Sequence, residues 1–246
     1  MKSPDLSNDI RRQIARNPPK FRGVLHSWMV PVVIGASIFA IVQAPPGLAR
    51  WLIAVYGLTL LAMYSFSATF HRIQWSDHGW WRMRQLDHTG IYLVIAGSFT
   101  GIAGLALDGG ARIVLLSAVW AVAGAGIAYR WSPVVPPFGL TTALFVVLAG
   151  LVVPFLGQLG DALGAGGIAW LMSGCGIYFA GALALGARVP DPWPTVFGYH
   201  EVWHVVVVVG SILHYVVVLR YAIPAAEALE AGQGALDWIN ATSTST

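Results

Sequence analysis

Apolar runs about as long as the stretch a helix needs to cross a hydrocarbon core, roughly 20 residues, dominate the chain. Seven such runs stand at 24–43, 51–71, 87–107, 112–131, 138–157, 167–187 and 200–222. Breakers separate them: Pro45-Pro46-Gly47, Asp108-Gly109-Gly110, Ser132-Pro133 with Pro136-Pro137, Gly164 to Gly167, and Pro190 to Pro194. The expected fold is an all-α polytopic membrane protein, a seven-transmembrane-helix bundle. Only 10% of residues are charged and 57% are hydrophobic, against about 25% charged in an ordinary soluble domain. That leaves little room for a separate soluble domain. The expected division is a cytoplasmic tail over 1–22, the bundle over 23–223 and an exterior tail over 224–246. Val42-Gln43-Ala44 loosely resembles a signal-peptide cleavage site, but the run before it is too long for one, so it reads as a retained span. Gly97-x-x-x-Gly101 in the third run suits close helix contact.

The basic residues give an orientation. Eleven of the fourteen Lys and Arg fall in the N-terminal tail or after the second, fourth and sixth runs; only Arg50, Arg112 and Arg220 fall on the other side. The positive-inside bias then predicts a cytoplasmic N-terminus and an exterior C-terminus. It also accounts for the net charge of +3 without a nucleic-acid partner. The single cysteine, Cys175, allows neither an internal disulfide nor a CxxC metal motif. The expected location is a cell membrane, of the bacterial inner-membrane kind.

In this topology even runs end, and odd runs begin, on the cytoplasmic side. His71 ends the second run, Asp87 and His88 begin the third, and His200 and His204 begin the seventh. Residues far apart in sequence thus share one leaflet. His200 and His204, four apart, lie on one helix face. Three imidazoles, His71, His200 and His204, suit zinc with one tetrahedral position left for water, and zinc brings the pKa of such water to about 7. Asp87 is placed to hold that water and take its proton. Ser67, four residues before His71, is placed to orient the imidazole, a substrate or the water. Ser98, three turns after Asp87, is placed to line a cavity.

Plainer readings stand beside these. His71 alone is an interfacial histidine reaching for headgroups. Asp87 alone is a helix-start residue favoured by the dipole. His26 and His78 read as surface or interfacial residues without a role. His88 either supports Asp87 or faces the loop. His214, about 80° off the His204 face, reads as a buried, hydrogen-bonded histidine and not a ligand. Ionisable groups within spans usually need partners, which favours metal for the three histidines taken together. A rival remains, since His200-Glu201-Val202-Trp203-His204 fits H-E-x-x-H, in which the glutamate is a protease's general base.

Three ordered motifs carry a resemblance. Ser67-Ala-Thr-Phe-His71 resembles the S-x-x-x-H motif of the hemolysin III family. Leu86-Asp87-His88 through Ile91-Tyr92 to Ala96-Gly97-Ser98 resembles its LDH-x-x-IY-x-x-IAG-[ST] stretch. His200-Glu201-x-Trp203-His204, followed by His214, resembles its final-helix motif. The resemblance covers residues 20–222. That family is grouped with the progestin and adipoQ receptors, adiponectin receptors included, and more distantly with alkaline ceramidases. It implies zinc on His71, His200 and His204, with Asp87 near the metal-bound water and Ser67 in support. Receptor relatives carry Gln where Glu201 stands, which weighs against the protease. Position 88 is Tyr in receptor relatives, whereas His, as here, is usual in the bacterial branch. The expected function is a zinc-dependent hydrolase of membrane-lipid amide or ester bonds, with a membrane lipid or fatty acid as partner. The alternatives are a lipid-responsive receptor braced by structural zinc and a pore-forming cytolysin or channel, the activity that the family's name records.

Overall fold

The computed structural model describes residues 18–132 and 140–243. Residues 1–17 of the expected N-terminal tail, the Pro133 and Pro136-Pro137 breakers and the first residues of the expected fifth run lie outside them. An apolar segment in hydrocarbon has no water for its N–H and C=O groups, so it closes those bonds within itself as a helix. The helices are α1 (Val24–Gln43), α2 (Leu48–Arg72), α3 (Asp77–Ala106), α4 (Gly109–Trp131), α5 (Leu140–Gly150), α6 (Leu156–Ala187), α7 (Tyr199–Val217) and α8 (Ile223–Ser243). A single 3-10 turn, Val153–Phe155, joins α5 to α6. Five residues of π-helix, Val218–Ala222, join α7 to α8. Among the described residues the only β-type pairing is an isolated bridge between Trp193 and Phe197.

The expected seven spans are corrected to six. Among the described residues, six helical stretches are long and apolar enough to cross a membrane: Val24–Gln43, Leu48–Arg72, Asp77–Ala106, Gly109–Trp131, Ala143–Ala187 and Tyr199–Gln233. The difference lies in the two runs expected at 138–157 and 167–187. Of α5 the described residues cover Leu140–Gly150, and Ala143–Ala187 counts as one apolar helical stretch. A turn at 151–152 and the 3-10 turn lead from α5 directly into α6. Gly164 to Gly167, read as a breaker, does not separate two spans either. Gly164 takes φ 67° and kinks α6, and helix continues on both sides. Backbone groups freed at a glycine inside an apolar segment find no water, so the helix resumes at once. One kinked stretch therefore stands where two spans were expected. The last run likewise extends as helix beyond residue 222, into the segment expected to be a tail.

α3 is the centre of the bundle. α2 packs along one side of it and α4 along another, while α1 leans on α2 and α7 on α6. Small residues on α3 set the spacing to α2. A Cβ on Gly97 would fall into the Thr59 side chain, whose Cβ lies 2.7 Å from that point, and one on Gly101 would meet the Tyr56 ring at 2.8 Å. The expected Gly97-x-x-x-Gly101 contact is thus made, with the ring of Tyr56 and the side chain of Thr59 as its partners. α4 is pinned to α3 by two indole N–H groups: Trp120 donates to Thr100 Oγ1 and Trp131 to Thr89 Oγ1, each at 3.0 Å.

Gly97→Val is expected to destabilise the protein by about 1–3 kcal/mol, because the added atoms have nowhere to go. Gly124→Val, on an exposed part of α4 where a Cβ meets nothing within 4 Å, should change little. Thermal unfolding of both variants in one detergent checks the pair, and an equal drop for the two would contradict the packing argument.

Candidate metal centre

Four helix ends meet at one end of the bundle, and local chemistry sets each of them. α2 closes with His71 and Arg72 in its last turn, where cationic side chains suit the dipole. α3 opens behind Ser76, whose hydroxyl accepts from the Gly79 N–H at 3.2 Å, with Asp77 in the first turn. α7 opens behind Gly198. There Glu201 Oε2 accepts from the Gly198 N–H at 2.8 Å and Asp191 Oδ1 from the Tyr199 N–H at 2.9 Å. α1 opens behind Gly23, whose φ of 74° suits only glycine readily. A Cβ at Gly23 would lie 2.6 Å from the His71 Cβ, so the start of α1 presses directly on the end of α2.

His71, His200 and His204 come together there. One ring nitrogen from each lies within 4.8 Å of the other two. His71 Nε2 and His200 Nε2 are 3.2 Å apart. Two imidazole nitrogens on one tetrahedral zinc stand roughly 3.3 Å apart, given Zn–N bonds near 2.05 Å. The donor set and its spacing fit a metal ion. His204 is buried, and the other two are partly buried. Asp87 joins from α3, with Oδ2 3.9 Å from His71 Nε2. Ser67 is buried on α2, with its Oγ 2.9 Å from His26 Nδ1. The guanidinium groups of Arg84 and Arg130 act on the Asp87 carboxylate through space.

Several residues lie elsewhere than expected or do other work. His88 Nδ1 donates to the Arg84 carbonyl at 2.8 Å, one turn back on its own helix, and stands 4.0 Å from Asp87 Oδ2. Ser98 donates to the Val94 carbonyl of its own helix at 2.8 Å. His214 is buried away from the cluster, with Nε2 3.9 Å from Cys175 Sγ. His78 is exposed at the start of α3. Glu201 is doubly engaged: Oε2 caps α7, and Oε1 takes the Arg22 Nε–H in a tight ion pair. Both oxygens of the would-be protease base are therefore committed to holding the chain.

Two participants escaped the sequence reading. His26, set aside as interfacial, is buried and stacks on His204. The parity rule that gathered the other histidines applies equally to it, because it begins the first run on the same side. Arg22, read as one more charge of a tail, reaches the start of α7. Around it the segment 20–21 pairs with the α7 lead-in, with the Lys20 N–H on the Thr195 carbonyl at 3.2 Å and the Phe21 N–H on the Val196 carbonyl at 3.0 Å. Beside this strap an apolar groove of about 260 Å³ is lined by Phe21, Leu25, Trp28 and Val205 and reaches Glu201 and His204.

Long apolar helices with a histidine cluster at one end of their bundle define a multi-pass protein of the cell membrane that carries a candidate metal site. Comparison with known proteins then names the group. The Haemolysin-III related family matches residues 14–215, and the chain belongs to it. It is 28% identical over 210 residues to Hemolysin-3 of Bacillus cereus, covering 82% of this chain and 91% of the relative. It is 27% identical over 205 residues to the Hemolysin-3 homolog of Bacillus subtilis (strain 168), covering 81% and 92%. To the heptahelical transmembrane protein ADIPOR2 of Oryza sativa subsp. japonica it is 31% identical over 197 residues, covering 70% and 82%, a distant relation to the adiponectin-receptor group.

Arg22→Met leaves Glu201 buried without its cation and is expected to cost on the order of 3 kcal/mol. The double variant Arg22→Met/Glu201→Gln should recover part of that loss, since neither charge is then stranded. Unfolding midpoints for the parent, both single variants and the double variant give the coupling; strict additivity would mean the pair holds nothing together.

Proposed function

We propose that this protein is a zinc-dependent hydrolase that cleaves an amide or ester bond of a membrane lipid, with zinc held by His71, His200 and His204. The observation that carries the reading is a carboxylate, Asp87, 3.9 Å from the nearest of three clustered imidazoles. Zinc bound there would supply a Lewis acid that polarises a carbonyl and makes water acidic near neutral pH. Asp87 takes the proton from the attacking water as its oxygen bonds to the carbonyl carbon. It returns that proton to the amine or alcohol that leaves when the scissile bond breaks. In this reading Ser67, buried on α2 beside the cluster, supports the Asp87 carboxylate. The apolar groove beside His204 supports a lipid substrate, because its rim residues Trp28 and Phe21 are exposed where an acyl chain would lie. The reading sets the site toward the cytoplasm, because Lys20, Arg22, Arg72, Arg82 and Arg84 flank it.

The same observation favours a second reading. A carboxylate that closes on the metal as a fourth ligand makes a sealed, structural site. The protein would then be a lipid-responsive receptor whose zinc braces α2 and α7. The pore-forming activity in the name of Hemolysin-3 ranks third, since α4, α5 and α6 carry few polar residues.

Asp87→Asn separates the first two. It keeps the size of the side chain but cannot take a proton. In the hydrolase, zinc content should stay near one per chain while release of fatty acid from lipid falls about 10²-fold or more. In the receptor, zinc should be lost and the parent should hydrolyse nothing across a broad lipid panel. Metal analysis and fatty-acid release on purified protein in nanodiscs read both outcomes.

A further inference from the structure

His26 stands two residues after the start of α1 and is only 2% exposed. Three neighbours enclose its ring. One face lies on His204, with ring centroids 3.9 Å apart and planes 15° from parallel. Tyr64 meets it edge-on at 5.0 Å, and Tyr64 is itself held by donating to Ser211 Oγ at 3.0 Å. The third neighbour is Ser67, whose Oγ is 2.9 Å from His26 Nδ1.

The hydrogen bond with Ser67 ties the ring on α1 to the last turns of α2; which group donates follows the tautomer of the imidazole. His26 itself is outside the group of three whose nitrogens converge. It bears instead on the flat face of one of those three, His204.

We propose that His26 is a positioning residue of the metal centre: its ring sets the plane of His204, and its hydrogen bond with Ser67 holds that ring in place. This rests on the reading of His71, His200 and His204 as metal ligands. Groups that orient ligands from behind in this way are typically worth 10–100-fold in metal affinity. The two contacts are chemically separable. His26→Phe keeps a ring on His204 and loses the hydrogen bond with Ser67. His26→Asn keeps an N–H for Ser67 and loses the ring.

The experiment strips metal from purified protein in detergent and measures zinc affinity by competition with a chromophoric chelator. Visible absorption of the cobalt(II)-loaded protein is recorded in parallel. His26→Asn should bind zinc about 10–100-fold more weakly than the parent. His26→Phe, which keeps a ring on His204, should bind zinc more tightly than His26→Asn yet change the cobalt spectrum, because its ring is no longer held by Ser67. Parent affinity and parent spectrum in both variants overturn this inference alone. A parent that binds no zinc overturns the metal reading and this inference with it. Thermal unfolding of the metal-free proteins identifies a variant that does not fold. Should that be His26→Asn, the cobalt spectrum of His26→Phe decides, and a spectrum identical to the parent's overturns the proposal.

Discussion

A polar ring sealed among hydrocarbon side chains has to find a partner, because the alternative is an unpaired group with no water to turn to. Most of the site end of this protein follows from that need. His26 on α1, His71 on α2, and His200 and His204 on α7 lie against one another, with ring centroids between 3.9 and 5.1 Å for the contacting pairs. Their association brings α7 against α1 and α2, from which it is distant in sequence. Asp87 and Ser67 complete the cluster from α3 and α2, so four helices have their ends determined by one polar knot. The Arg22–Glu201 ion pair does the same just outside it, tying the strap before α1 to the first turn of α7.

The away side of the bundle is organised by a different constraint, which is closeness of approach. α3 carries glycine where α2 crosses it, and the Tyr56 and Thr59 side chains occupy the space a Cβ would take. Dispersion between closely packed helices matters here because lipid tails compete equally well for large apolar side chains. A similar contact recurs at Gly126 on α4, which faces the Tyr92 ring, and at Gly174 on α6, which faces the His214 ring. The polar knot and the close-packed glycines act at different depths. A variant that weakens one is therefore expected to leave the other in place.

The chemistry available at the knot is that of a Lewis acid beside a carboxylate, with an apolar groove opening next to it. Whether Asp87 acts on water or closes the coordination shell is the point on which hydrolase and receptor part. The engagement of both Glu201 oxygens removes the residue on which the protease reading depends. Family membership narrows the setting without choosing between the two, since relatives carry both a hemolysin name and an adiponectin-receptor name.

Composition and hydropathy by themselves determine that the chain is helical and lives in a membrane, because hydrocarbon admits no other way to satisfy a backbone over such runs. Seven alternating spans would gather His71, Asp87, His200 and His204 at one leaflet; with six, alternation alone no longer does so, and it is the tertiary structure that brings ring nitrogens of His71, His200 and His204 within 4.8 Å of one another. Other features needed the tertiary structure. Hydropathy counts how much of a segment avoids water, and it cannot say whether Gly164 turns the chain or merely kinks it. That depends on whether the freed backbone groups can reach water, so two expected spans became one. His26 reads in one dimension as a histidine near an interface, whether it faces headgroups or a buried ring. Only the approach of α7, held by Arg22 and Glu201, decides that it faces His204.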